Sequence, residues 1–66
     1  MTFDKAYEKM KQGYKIKLPT WDGYWEWENN SIKMNLGGNI IIDIRQTNDI
    51  DIIFRFIIRS DWELVS

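Results

Sequence analysis

The sequence predicts a small α+β domain: an N-terminal helix packed on a small antiparallel sheet, with a second short helix before a C-terminal strand. Three observations predict it, namely a helical spacing of apolar residues at the start, alternation with period two through the middle, and a second helical spacing near the end. Sixty-six residues provide for one domain, residues 1–66. Such a sheet has one covered face, so the other face is expected to be open to a partner or ligand.

Residues 3–12 are predicted to form the first helix. Thr2 is expected as its N-cap, and Gly13 fits the position that ends a helix. Four apolar residues at i, i+3, i+4 and i+7 share one face of it: Phe3, Ala6, Tyr7 and Met10. This face is predicted to pack on the sheet.

Two strands are predicted next. In residues 14–18 apolar side chains alternate with two lysines, Lys15 and Lys17, which share the opposite face. Pro19 ends this strand, and residues 20–23 form a loop.

Residues 24–28 alternate again, which places Trp25 and Trp27 on one face of the second strand. Asn29 and Asn30 then signal a turn. A chain of this size has little core in which to hide so many aromatic side chains, so subunit contacts or a ligand are expected to cover some of them.

Residues 31–45 are predicted to form a hairpin whose register can be argued. A two-residue loop would pair Leu36 with Asn39 and turn the two apolar faces to opposite sides. A three-residue loop at residues 37–39 instead buries both apolar faces together. The expected pairs are therefore Leu36 with Ile40, Met34 with Ile42 and Ile32 with Ile44.

Residues 48–59 fit either a helix or a strand, because Ile and Phe prefer strands. A complete helical stripe is present, consisting of Ile50, Ile53, Phe54, Ile57 and Ile58. Thr47 or Asn48 could cap such a helix, and this agreement of stripe and cap favours the helix. Residues 61–65 then read as a short closing strand.

The chain contains neither cysteine nor histidine. This composition excludes disulfides, thiolate metal sites, cysteine nucleophiles and catalytic pairs that depend on histidine. The spacing of the acidic residues matches no calcium loop, and no glycine loop for phosphate is present. We therefore expect no enzyme activity, no metal and no cofactor.

The charge balance argues against polymeric partners. Nine basic and ten acidic residues give a net charge of −1, whereas proteins that bind nucleic acid polymers usually carry a basic excess. No apolar stretch is long enough for a membrane span, and the N-terminus lacks the apolar region of a signal peptide. The expected compartment is the cytoplasm, without a membrane or a nucleic acid polymer as partner.

The tryptophans are the first candidates for a site, because aromatic rings stack on flat heterocycles such as nucleobases. For Trp25 and Trp27 a place in the sheet core or a subunit interface is favoured over a ligand contact. Trp21 lies in a loop, where a core role is less expected, and both interpretations stay open.

Charged residues are the second group of candidates. Lys15 and Lys17 could meet a phosphate beside the aromatic loop, although a solvated strand face is favoured on sequence alone. Near the C-terminus, Arg59 suits a phosphate and Asp61 suits an exocyclic amine or a ribose hydroxyl. For these two, a helix-terminal and solvated role is equally plausible, whereas Trp62 is expected in the core.

Parts of the sequence resemble a family of small phage proteins, the Thoeris anti-defence protein 2 family. The resemblance is carried by residues 2–7 (TFDKAY), 10–17 (MKQGYKIK), 21–23 (WDG) and 57–63 (IIRSDWE). The family patterns are T-F-x-x-A, then L-K-x-G-K-x-V-x-R-x-x-W-x-G, and a closing D-W after a short apolar helix. Where the family often has Arg before the Trp loop, this chain has Lys17, and residues 29–56 match the family poorly.

The resemblance implies a sponge that binds a cyclic nucleotide immune signal of the glycocyclic ADP-ribose type and sequesters it without degrading it. Such a protein blocks Thoeris immunity in the cytoplasm of the infected bacterial host. It also implies a homotetramer with ligand pockets between protomers. The alternative is a small oligomeric protein-interaction module that inhibits a host protein through its Trp-rich face.

The resemblance also raises particular residues as ligand contacts. Trp21 is expected to stack on adenine, Lys17 to meet the diphosphate, and Asp61 to contact base or ribose. Phe3 could line an intersubunit pocket, and Arg59 is an alternative for phosphate. The full predicted ligand-binding set is Phe3, Lys17, Trp21, Trp25, Arg59 and Asp61.

Overall fold

The computed structural model describes residues 1–65, so the last residue of the predicted domain, Ser66, lies outside the described part. These residues form two α-helices, five strands and one 3₁₀ turn. In chain order they are α1 (Phe3–Lys11), β1 (Ile16–Lys17), β2 (Tyr24–Glu28), β3 (Ser31–Asn35), β4 (Ile41–Asp43), a 3₁₀ turn (Ile44–Gln46), α2 (Ile50–Ile57) and β5 (Glu63–Leu64). The predicted α+β class and order of elements are confirmed.

The strands form one antiparallel sheet in the order β4-β3-β2-β1-β5. Its core face carries a row of directly paired residues that runs across all five strands: Leu64, Ile16, Trp25, Met34 and Ile42. Directly opposite residues project to the same side of a sheet, so this row forms one continuous surface. Helix α1 packs on it through β1 and β2.

The core is small and rich in large side chains. Buried members come from α1, from the sheet, from the residue after β1 and from the segment before β5: Ala6, Met10, Ile16, Leu18, Trp25, Ile32, Met34 and Trp62. Trp62 is held from two sides, since its backbone N–H donates to the Met1 carbonyl oxygen at 3.0 Å and the N-terminal ammonium donates to the Trp62 carbonyl oxygen at 2.6 Å. The two ends of the described chain are thereby joined.

The first helix and first strand are shorter than predicted. Gln12 is the C-cap of α1, and Gly13 follows it with a left-handed φ of 108°. The Tyr14 backbone N–H donates to the Lys9 carbonyl oxygen at 3.1 Å. Tyr14 therefore belongs to the end of the helix rather than to the strand, and it is 48% exposed.

The two predicted hairpin turns are present. Asn29 and Asn30 have φ values of 54° and 59°, the left-handed values that a two-residue turn between β2 and β3 needs. In the next hairpin Met34 pairs with Ile42, and the Leu36 N–H donates to the Ile40 carbonyl oxygen at 2.9 Å. The three-residue loop at residues 37–39 and its register are thus confirmed.

The third expected pair of this hairpin, Ile32 with Ile44, is wrong. Strand β4 ends at Asp43, whose carboxylate accepts from the Arg45 N–H at 2.8 Å and whose own N–H donates to Gln46 Oε1 at 3.3 Å. This reciprocal cap starts the 3₁₀ turn and takes Ile44 out of the sheet. Ile32 pairs instead with Trp27 on the other side.

The second helix is confirmed, but only one residue of its predicted apolar stripe, Ile53, packs against the core. Ile53 and Phe56 are the α2 residues that pack against the core. Ile50, Phe54 and Ile58 point away from it and are 57%, 59% and 81% exposed. The N-cap of the helix is Asp49, and not Thr47 or Asn48 as predicted.

No helix in residues 1–65 has the length and apolarity needed to cross a membrane.

Candidate functional site

A cleft of about 380 Å³ lies between α2 and the core face of the sheet. Trp25, Met34 and Ile42 provide its sheet wall, and Ile52, Ile53 and Phe56 provide its helix wall. The loop after β1 contributes Trp21, Asp22 and Gly23, and the remaining lining residues are Asn35, Leu36, Thr47 and Asp49. Its volume falls within the range of about 300–1,000 Å³ that is usual for small-molecule pockets. We call it the aromatic cleft.

Trp21 is placed by the turn that ends β1. Its backbone N–H donates to the Leu18 carbonyl oxygen at 3.0 Å, which folds the loop back over the core. Its ring centroid lies 4.9 Å from that of Phe56 at 80°, 5.3 Å from that of Trp62 and 5.5 Å from that of Trp25. The half-buried indole thus joins the core cluster and also lines the aromatic cleft.

Trp25 and Trp27 occupy the places in the core that the sequence favours. Trp25 is 2% exposed, its ring lies 5.1 Å from that of Trp62, and it also forms part of the cleft wall. Trp27 contacts Tyr7 edge to face at 5.6 Å, and it does not line the cleft. The core of the single chain therefore covers more of the tryptophan side chains than we expected for 66 residues, since Trp25 and Trp62 are both buried.

Phe3 is also a core neighbour. Its ring lies 5.3 Å from that of Trp62 and 5.8 Å from that of Tyr7, and it meets Trp25 edge to face at 6.2 Å. It is half-buried at the start of α1 and lies outside the cleft lining. The structure thus brings Trp21 and Trp25 together in the cleft and places Phe3 behind them.

The predicted charged residues lie away from the cleft and are already paired. Lys17 Nζ lies 3.2 Å from the Glu63 carboxylate and 3.4 Å from the Pro19 carbonyl oxygen. Arg59 Nε donates to Asp61 Oδ1 at 2.9 Å, and its Nη2 donates to Oδ2 of the same carboxylate. This bidentate contact with Arg59 lowers the pKa of Asp61 and raises the pKa of Arg59.

The polar groups at the cleft are carboxylates, an amide and a hydroxyl. Asn35 Oδ1 accepts from the Gly37 N–H at 2.9 Å, and Thr47 Oγ1 accepts from the Asp49 N–H at 3.2 Å. Asp22 and Asp49 are exposed at the rim. Among residues 1–65, no lysine or arginine lines the cleft. The cleft therefore favours hydrogen-bond donors and disfavours a phosphate by itself.

Several lining residues were not predicted as site residues. Ile52 and Phe56 lie outside the apolar stripe that the sequence predicts for α2, and Ile53 is the one residue of that stripe that lines the cleft. The signal was nevertheless present, since these three residues also have helical spacing, at i, i+1 and i+4.

A separate ionic cluster lies on the open face of the sheet, around Asp43. This carboxylate is 6% exposed and accepts from Ser31 Oγ at 2.8 Å, Lys33 Nζ at 2.8 Å and Arg45 Nη2 at 2.9 Å. Hydrogen bonds from Arg45 first and Lys33 second hold the pKa of Asp43 far below its usual value, although burial opposes this. The cluster joins β4 to β3, the two strands that contribute Ile42 and Met34 to the sheet wall of the cleft.

Comparison with protein-family models, with curated proteins and with solved structures finds no match for this chain. Within residues 1–65, no three or more acidic side chains lie together in a way that could hold a metal ion.

Proposed function

We propose that the protein is a non-catalytic sponge that binds a cyclic nucleotide immune signal of the glycocyclic ADP-ribose type. It holds the signal in the aromatic cleft without degrading it and so blocks Thoeris immunity in the infected bacterial cytoplasm. The observation that carries the proposal is the cleft itself, in which Trp21 and Phe56 stand beside the acceptor groups of Asp22 and Asn35.

The cleft chemistry suits the nucleoside part of such a ligand. A base that stacks on an aromatic side chain gains about 1–3 kcal/mol. Exocyclic amines and ribose hydroxyls donate hydrogen bonds, and the carboxylates of Asp22 and Asp49 accept them. At about 380 Å³, the cleft lies near the lower end of the usual pocket range, so a base and its ribose fill much of it.

The diphosphate requires cations that the cleft lacks within the described chain. In our proposal a second copy of the chain supplies them, which makes the ligand site a property of a homo-oligomer, a tetramer in the family that the sequence resembles. Lys17 and Arg59 are the candidate donors, because each carries its charge on an accessible surface. Their present partners, Glu63 and Asp61, would then compete with phosphate.

Sequestration needs no general base and no nucleophile. It requires only that the protein outnumber the signal and bind it more tightly than its receptor does, so that the free signal falls by mass action. The absence of cysteine and histidine is compatible with such a task. No cofactor and no metal enters the proposal.

Tryptophan fluorescence tests this function. Adding a cyclic ADP-ribose isomer should quench the emission, because Trp21 lines the cleft and lies within 5.5 Å of two other indole rings. After long incubation and denaturation of the protein, chromatography should return the ligand intact. Recovery of a cleaved ligand would contradict the sponge and indicate an enzyme.

The alternative function, a module that inhibits a host protein, is favoured by one observation. Large apolar side chains are exposed on α2 and on the β3–β4 hairpin: Leu36, Ile40, Ile41, Ile50, Phe54 and Ile58. With Trp25 and Trp62 buried, these residues rather than a Trp-rich face would be the anchors. A fluorescence change that follows only the addition of cell-protein fractions, never nucleotide, would support this alternative.

A further inference from the structure

Helix α2 is apolar around most of its circumference. All of its residues except Asp51 and Arg55 are apolar. Ile53 and Phe56 pack on the core, whereas the side facing away from the core carries Ile50, Phe54 and Ile58, at the spacing i, i+4 and i+8. We call these three residues the outer stripe.

The outer stripe exposes much more apolar surface than a helix on a monomer surface usually does. Its members are 57%, 59% and 81% exposed, although the helix they share is anchored by its other side. A helix that is apolar all round is normally buried all round, and a contiguous apolar patch commonly marks an interface. We therefore expect the outer stripe to be buried in an interface.

The charged residues of α2 indicate what covers it. At 100° per residue, Asp51 and Arg55 lie on the same flank of the outer stripe, four residues apart and opposite in charge. Neither forms an ion pair within residues 1–65. A partner that carries the same two charges in reverse order would form ion pairs with both Asp51 and Arg55.

We propose that the outer stripe packs against the outer stripe of a second copy, with the two α2 helices antiparallel about a two-fold axis near Phe54. In antiparallel helix pairs the same flank of each helix meets, so Asp51 of one copy faces Arg55 of the other, twice. With the two-fold axis at Phe54, Asp51 lies two residues, or about 3 Å along the helix, from the level of the partner's Arg55. An arginine side chain can span this distance.

A parallel pair does not offer this match. There the flank with Asp51 and Arg55 would meet the opposite flank of the partner, which carries Ile53 and Ile57. The charge pattern is thus complementary to itself only in the antiparallel arrangement. That self-complementarity is what selects a second copy as the occupant over an unrelated protein.

This contact rests on the homo-oligomer of the proposed function and names the surface by which its copies meet. It is independent of the ligand, because the cleft uses Ile52, Ile53 and Phe56 on the other side of the same helix. Covering the outer stripe therefore leaves the cleft lining unchanged. The contact can be tested without nucleotide.

Sedimentation velocity of the purified full chain, without nucleotide, tests the contact. The wild-type chain should sediment as a dimer or a multiple of a dimer. Phe54→Glu should lower the mass to that of a smaller species, because it places two carboxylates at the axis. Tyr14→Glu is the matched control, since it introduces the same charge at a residue that is 48% exposed far from α2 in sequence, and it should leave the mass unchanged.

Charge reversal separates the contact from a folding defect. Asp51→Arg and Arg55→Asp should each weaken the dimer by tenfold or more, and the double variant should restore it. Failure of the double variant to restore the dimer, or a Phe54→Glu chain that stays assembled, would overturn this contact while leaving nucleotide binding untouched. A wild-type chain that sediments as a monomer at every concentration would overturn both this contact and the homo-oligomer of the proposed function. Assembly only with a different protein would have the same consequence.

Discussion

The ring of Trp21 meets the ring of Phe56 edge to face, with centroids 4.9 Å apart and planes at 80°. Trp21 comes from the loop after β1 and Phe56 from the last turn of α2, so this contact closes the aromatic cleft between two distant parts of the chain. Edge-to-face packing is a favoured aromatic geometry. It leaves other parts of both rings to line the cleft.

Replacing Trp21 with Ala should weaken binding of a cyclic ADP-ribose isomer about 5- to 150-fold, because one stacked base contributes about 1–3 kcal/mol. Calorimetric titration measures the change. Trp27→Phe is the control, since Trp27 contacts Tyr7 and lies outside the cleft lining, and it should bind as the wild type does. Equal affinity of Trp21→Ala and wild type would remove Trp21 from the site.

Replacing Trp62 with Phe should destabilise the fold by about 1–3 kcal/mol. The indole is 1% exposed, and its Nε1 donates to the Phe56 carbonyl oxygen at 3.1 Å, so the variant loses both volume and a hydrogen bond that holds the end of α2. Urea unfolding followed by circular dichroism measures the loss. A variant as stable as the wild type would contradict the role of this hydrogen bond in holding the end of α2.

Replacing Gly23 with Ala should cost about 3 kcal/mol, at the upper end for overpacking. An added Cβ would overlap the Asn35 carbonyl oxygen, which is backbone and cannot move aside without breaking the β2–β3 pairing. Gly13→Ala is the comparison, because its Cβ would meet no atom within 4 Å and only the left-handed φ opposes it. The smaller loss should be at Gly13, and the reverse order in urea unfolding would contradict the close approach at Gly23.

The Asp43 cluster makes stability depend on acid pH. The folded pKa of Asp43 is depressed by Arg45 and Lys33, so the charged carboxylate stabilises the fold fully above its unfolded pKa of about 3.9. That contribution is lost as the pH falls below about 4 toward the folded pKa. Thermal midpoints measured from pH 7 to pH 2 should therefore drop at the acid end.

Replacing Asp43 with Asn should lower the midpoint by several degrees near pH 7 and flatten its fall below pH 4. The amide keeps one acceptor but presents donors to Lys33 and Arg45, which are donors themselves. Glu28→Gln is the control, because Glu28 is exposed and forms no ion pair within residues 1–65. Identical pH profiles for Asp43→Asn and wild type would contradict the role of the cluster.

The sequence was sufficient for the hairpin register because only one loop length buries both apolar faces. Met34 and Ile42 are consequently paired as predicted. The rotation of α2 was not predictable in the same way. Both sides of that helix are apolar, so periodicity alone cannot choose between Phe54 and Phe56 as the inward residue.

The site was predictable only in part for a similar reason. Trp21 was identified from its loop position, and it does line the cleft. Arg59 and Asp61 bind each other in the structure. The charge pattern of the sequence alone does not show whether two such neighbours bind each other or each contact a ligand. The helix wall of the cleft depended on the α2 rotation, and it was missed together with Phe56.

The most direct test of the central claim is calorimetric titration of the purified protein with cyclic ADP-ribose isomers, including the glycocyclic type. We expect saturable binding of at least one isomer, with a fixed stoichiometry per oligomer. No binding to any cyclic ADP-ribose isomer or cyclic oligonucleotide would contradict it.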